Sequence, residues 1–300
     1  MTQVVNEAGF VPGAARAWRK PWRPGRGNGF LLIAPLTLLC ALFVVPLALV
    51  VVRSFSGPQP GLAQYIEIVS NPSTAWVVLY TFWTALLVTA ATLLLSYPVA
   101  FTISRAKGRL LTVCLAMVLI PFWTSTVIRT YGWIVILQRR GILNDILVGS
   151  GLIDQPLRLM NDGSGMQIAM IHIMLPFMIL PLLSAMRGID ANLMRAASVL
   201  GANPLRQFVH VYLPMSLPGV SAGCVLVFIS SLGFYITPAL LGGQRTMIAV
   251  LIEQQASRLL NWPLASALAT ILLVLTSALF IIYERLMARL GGGKPVGEVQ

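Results

Sequence analysis

Six long apolar stretches dominate this 300-residue chain. They run roughly from Phe30 to Val52, Trp76 to Ile103, Leu110 to Leu137, Gly165 to Met186, Met215 to Leu241 and Leu264 to Tyr283. A helix of about 20 apolar residues crosses a hydrocarbon core of about 30 Å. Each stretch is therefore read as a membrane span. Backbone polar groups inside a bilayer must be satisfied within the chain, and a row of such stretches does this as helices. The expected fold is an all-α membrane protein, a six-helix bundle. Composition agrees: 57% of residues are hydrophobic and 10% charged, where a soluble domain carries about 25% charged. The expected division is a basic N-terminal tail over 1–29, a transmembrane domain over 30–286 and a C-terminal tail over 287–300.

The net charge of +12 needs no nucleic acid to explain it, because no basic patch sits on a soluble module. It follows loop positions instead. Arg16, Arg19, Lys20, Arg23, Arg26, Arg105, Lys107, Arg109, Arg187, Arg195, Arg206, Arg285, Arg289 and Lys294 fall on one side of the spans. The other side holds Arg53, Arg139, Arg140, Arg158, Arg245 and Arg258. Lys and Arg concentrate in cytoplasmic loops, so both termini are expected inside a bacterial plasma membrane. The first stretch is too long for a secretory h-region and lacks a small-residue cleavage site after it, which reads as an uncleaved anchor. Cys40, Cys114 and Cys224 each sit in an apolar run, as small buried side chains do.

The longest cytoplasmic loop then covers residues 190–213. Locally it reads as two short helices at an angle. Asp190 N-caps the first, and Leu193, Ala196, Ala197 and Leu200 share one face. Gly201 fits the stop position. Asn203-Pro204 reads as a cap followed by proline at the first helical position. Leu205, Phe208, Val209 and Tyr212 face one way on the second helix, and Leu213-Pro214 is expected to end it. Exposed apolar helix faces dock on a partner or lie on lipid; the residues alone leave both open.

The spacing goes further. Ala196-Ala197, three residues, Gly201, nine residues and Val211-Tyr212-Leu213-Pro214 resemble the EAA loop of ABC-importer permeases. The family's Glu falls on Arg195, a reversal of charge. Pro121-Phe122-Trp123, Ile128 to Trp133, Leu175-Pro176-Phe177, Thr237 to Gly243 and Asn261-Trp262-Pro263 are similar to the first permease subunit of spermidine/putrescine importers and their opine-transporting relatives. The resemblance covers most of residues 30–285. It implies that the loop seats in a groove of a cytoplasmic ABC ATPase dimer, with coupling carried by Asp190, Arg195, Ala196, Ala197, Gly201, Leu205, Phe208, Leu213 and Pro214. It also implies a second, different permease subunit and a soluble substrate-binding protein.

No GxxxxGK[ST] loop is present in the sequence. ATP and Mg are expected on the partner ATPase, with no cofactor in this chain and no catalytic set or metal cluster. His172 and His210 each stand alone in sequence and are read as structural. A self-powered secondary transporter or channel would call for acids in the spans and often an internal repeat; neither is seen. A membrane-embedded enzyme would call for a catalytic constellation.

Arg129 lies within the third apolar stretch, where a cation costs about 2.5–3.5 kcal/mol on insertion scales. It reads equally as a pathway residue, or as a structural cation paired with a carbonyl or with a carboxylate such as Asp145 or snorkelling toward the outer interface. Pro121 and Pro176 can break their helices, and Phe122, Trp123, Tyr131 and Trp133 cluster nearby. Many polyamine-importer relatives carry an acid in the segment that here reads Gly233-Phe234-Tyr235. The candidate solute pathway is Phe122, Trp123, Arg129, Tyr131, Trp133, Phe234 and Tyr235. An acid-poor, Arg-bearing pathway fits a zwitterionic or anionic opine-like or amino-acid-derived solute. A polyamine stays possible if the partner permease supplies acids. Gly219 and Gly223 form a GxxxG that permits close helix contact.

Overall fold

A computed structural model describes residues 29–56, 61–160 and 162–290. The basic residues of the N-terminal tail, and Lys294 in the C-terminal one, lie outside the described residues. Among those described, all regular structure is helical. The chain divides into two compact units, residues 1–49 and 50–300. The described part of the first is the bulk of helix α1, Gly29–Ser54. It carries no charged residue before Arg53 near its end.

The second unit is built around α7 (Ser164–Arg187), which packs against α3 (Pro72–Arg105) and α10 (Leu213–Leu232). Met166, Met170, Ile173, Met174, Met178 and Leu182 of α7 are all buried. Their spacing of three and four residues recurs along one side of a helix, and unbranched methionines fill irregular gaps. The GxxxG does what its sequence suggests. A side chain at Gly219 would meet Ala185 Cβ at 2.6 Å and Pro181 O at 2.8 Å, so glycine is required there for α10 to lie this close to α7; one at Gly223 would meet Met178 Sδ at 2.6 Å, and that side chain would have to shift.

Short α2 (Ala63–Ser70) and α12 (Ile248–Glu253) pack with α13 (Trp262–Leu290). Helix α4 (Gly108–Trp123) runs along α7, and α5 (Thr126–Leu137), α6 (Ile142–Gly149) and α11 (Ile236–Leu241) follow at the other end. Asn144 staples the loop after α5: its Nδ2 donates to Gln138 O and Leu157 O, and its Oδ1 accepts from Leu157 N at 2.8 Å.

Five helical segments are long and apolar enough to span a membrane: Pro35–Ser54, Pro72–Arg105, Ser164–Arg187, Pro204–Leu232 and Trp262–Met287. A sixth arises if Gly108–Trp123 and Thr126–Gly149, bent by 97° at their break, count as one. The stretch 110–137 is thus not one straight helix. Helix α4 ends two residues after Pro121, and Thr124 N and Oγ1 both donate to Pro121 O. Pro176, by contrast, stays inside an unbroken α7.

The fifth stretch also departs from expectation. Helix α10 ends at Leu232, and Gly233-Phe234-Tyr235 separates it from α11. At its start, Leu213-Pro214 ends nothing. The chain runs helically from Pro204 to Leu232, because Phe208–Tyr212 is wound as a π-helix. There Leu213 N–H reaches back five residues to Phe208 O. Such wide turns reroute the bonding ladder, and Pro214, with no N–H to place, sits in the first turn of α10.

Candidate functional sites: a helical hairpin and a pocket at a broken span

Between α7 and α10 lie α8 (Ala191–Val199) and α9 (Pro204–Gln207). Asp190 caps α8: its Oδ1 accepts from Asn192 N at 2.9 Å. Gly201 closes the helix at φ +82°, a left-handed conformation that costs other residues a steric clash. Asn203 Oδ1 accepts from Arg206 N at 2.8 Å with Pro204 in the first turn. Gln207, missed by sequence reasoning, braces the turn. Its Nε2 donates to Ala202 O at 2.7 Å and Ser198 Oγ at 2.9 Å.

This architecture pushes apolar side chains outward. Val199, Leu200 and Leu205 are 88%, 86% and 70% exposed, and Arg195 and Arg206 are exposed on the same hairpin. Ala196 is exposed and Ala197 half-buried. Val199 was not anticipated.

Phe208 turns the other way. Its ring meets Phe101 and Tyr97 of α3 edge-on, at 5.6 and 6.0 Å between centroids, and stacks on Tyr212. Tyr212 is buried, and its hydroxyl pairs with Ser104 at 3.0 Å. The Arg105 guanidinium lies 4.0 Å over Phe101. Phe208 therefore ties the hairpin to α3 instead of lining its outer surface. Leu213 is half-buried and Pro214 exposed at the start of α10.

The second site opens at the break between α4 and α5. A pocket of about 520 Å³ brings together Phe122, Trp123, Arg129 and Phe234 of the expected pathway, with Phe177 and Ser230 added. Phe122 and Phe177 meet at 5.4 Å between centroids. The hydroxyl residues Thr124, Ser125 and Thr126 complete the rim at the break. Arg129 donates from Nη2 to Thr126 Oγ1 at 3.3 Å, while its Nε and Nη1 are shielded and have no hydrogen-bond partner. It makes no pair with Asp145.

Three expected residues stand elsewhere. Tyr131 and Tyr235 are exposed and do not line the pocket. Trp133 Nε1 donates to His172 Nδ1 at 3.3 Å, a packing contact between α5 and α7. Nearby, Thr130 and Thr237 share a buried hydroxyl bond of 2.9 Å that joins α5 to α11. No group of acids, histidines and cysteines suited to a metal occurs among the described residues.

An all-helical membrane bundle that carries an apolar-tipped helical hairpin between two spans and a pocket at a broken span is the class of a membrane transport subunit. Comparison narrows it. The sequence profile of the family described as binding-protein-dependent transport system inner membrane component matches residues 29–292. The chain is 38% identical over 216 residues to the spermidine/putrescine transport system permease protein PotB of Haemophilus influenzae, covering 72% of this chain and 76% of that one. It is 28% identical to the inner membrane ABC transporter permease protein YdcU of Escherichia coli K12, over 96% of this chain and 99% of that one. A crystal structure of a bacterial alginate ABC transporter shares the fold, with a TM-score of 0.66, 16% identity and coverage of 88% and 96%. The chain belongs to the inner-membrane permease family of binding-protein-dependent ABC importers, as a multi-pass transport subunit and not an enzyme.

Proposed function

We propose that this chain converts closure of a separate ATPase dimer into movement of a small polyamine-, opine- or amino-acid-derived solute into the cytoplasm. The observation that carries this is the hairpin tip. Three large apolar side chains held out by two capped helices and a left-handed glycine suit a preformed groove on a partner. ATP and Mg would act on that partner. A second permease subunit completes the passage, and a soluble binding protein delivers solute on the opposite face. Both termini and the hairpin face the cytoplasm. On ATP binding, the two hairpins of the permease pair draw together. The Phe208–Tyr212 cluster passes that motion to α3 and α10, alternating access at the pocket. Affinity purification of the tagged chain from its native membranes tests the docking. An ABC ATPase accompanies the natural chain and is lost from the Leu200→Asp variant. Equal recovery from both would remove the hairpin from the interface.

A further inference from the structure

We infer that the pocket at the broken third span binds an oxyanion, a carboxylate or phosphonate of the transported solute, on the Arg129 guanidinium. This rests on the reading of the chain as an importer permease, and names the chemistry of its solute.

Three observations meet at one place. First, Arg129 stands in the pocket wall with Nη2 held weakly by Thr126, while Nε and Nη1 are shielded and have no partner. Nη2 carries a second N–H beyond that weak bond, and the group that suits a guanidinium so incompletely satisfied is a planar or tetrahedral oxyanion taking a charge-assisted bond. Second, no carboxylate lines this pocket among the described residues. A dication entering it would meet one fixed positive charge and no negative one, an arrangement that repels it. Third, four aromatic residues, Phe122, Trp123, Phe177 and Phe234, share the wall with the aliphatic Ile173 and Met174. Aromatic faces attract an ammonium group, so an amine at the far end of the same solute is accommodated. The hydroxyls of Thr124 and Ser125 offer further neutral donors at the rim. At about 520 Å³ the pocket lies within the usual range for small ligands. A molecule with an oxyanion at one end and an amine at the other satisfies every part of this wall, whereas a simple diamine leaves the guanidinium unpaired and repelled.

A phospholipid headgroup offers the same oxyanion chemistry, and the test separates the two sources. The purified full chain is placed in nanodiscs of phosphatidylglycerol or of a phosphate-free galactolipid. Binding of 4-aminobutanoate, glutamate and inorganic phosphate is compared with that of putrescine, which matches the four-carbon chain of 4-aminobutanoate. At least one oxyanion probe is expected to bind at least about tenfold more tightly than putrescine, the scale of one charge-assisted hydrogen bond. Arg129→Met should abolish that preference and Arg129→Lys keep part of it, with both variants retaining the helix content of the natural chain. The preference should hold in galactolipid. A lipid-held site would bind the soluble probes only in galactolipid and be blocked by phosphatidylglycerol, which overturns the solute assignment. Putrescine binding as tightly as the oxyanions, no probe binding at all, or a preference that survives Arg129→Met would each overturn the inference. ATP-driven uptake by the complete transporter is measured alongside. Its absence would remove the permease reading itself, whereas uptake with putrescine-preferring binding removes only the oxyanion.

Discussion

Gly201 sits at φ +82° between two helices whose caps are Asp190 and Asn203. A β-branched residue there carries a backbone clash of about 1–2 kcal/mol. Gly201→Val should therefore reduce the population of the formed hairpin by about 5–30-fold and lower ATPase recovery accordingly, while membrane insertion, read by protease protection, stays as in the natural chain. Normal recovery would show that the turn is dispensable. These cap residues were legible in the sequence because capping and left-handed turns are local, decided by a few neighbouring atoms. Arg129 was legible as a cation that needed a reason, but not its surroundings, since its pocket joins α4, α5, α7 and α10. The role of Phe208 was hidden for the same reason. A phenylalanine on an amphipathic helix reads as outward or inward with equal ease until the position of α3 is known.

At the scale of elements, two contacts tie α10 and the hairpin to the bundle. Helix α10 lies against α7 through Gly219, where an added Cβ would meet Ala185 Cβ at 2.6 Å and Pro181 O at 2.8 Å. Gly219→Leu should overpack this crossing by about 1–3 kcal/mol or more and lower the Tm in detergent by about 3–10 °C. Gly233→Ala, whose Cβ meets nothing within 4 Å, should leave it unchanged. The second contact is the aromatic cluster of Tyr97, Phe101, Phe208 and Tyr212 under Arg105. Phe208→Ala removes the link without touching the exposed tip. ATPase recovery should stay within about twofold of the natural chain while ATP-driven uptake falls at least about tenfold, the 1.4 kcal/mol scale of a lost coupling contact. Loss of both together would make Phe208 part of the docking surface. The break at Thr124–Ser125 was only half readable, since Pro121 and Pro176 were both expected to be able to break their helices. Pro121 and Pro176 look alike in apolar sequence, yet only the first is followed by hydroxyl residues, one of which bonds to the carbonyl at the helix end. Pro214 misled in the opposite direction, because a π turn absorbs what a proline would otherwise interrupt.

Across the whole second unit, charge and packing agree on which loops share an end. Arg105, the last residue of α3, lies over Phe101 and beside Tyr212 at the hairpin's base. Met287 near the end of α13 accepts from Ser221 in the first half of α10. Arg245 instead stands over Tyr80 in the first third of α3, and Arg53 over Trp262 at the start of α13. Among the described residues of this unit, the end of α3, the base of the hairpin and the end of α13 thus lie toward one end, and Arg53, Arg245 and the start of α13 toward the other. Span lengths made this arrangement legible, since a bilayer imposes a single distance on every crossing. The proposed division of labour with an ATPase rests, at the level of sequence, on the hairpin's resemblance to known coupling loops. The central claim is that a partner's ATP drives this chain. The most direct measurement is solute uptake by proteoliposomes that hold the chain, its partner permease and the ATPase, with the binding protein supplied on the outer side. Uptake should require ATP on the hairpin side and stop when Leu200→Asp removes the tip. Accumulation driven by an ion gradient without ATP, unaffected by that substitution, would contradict the account.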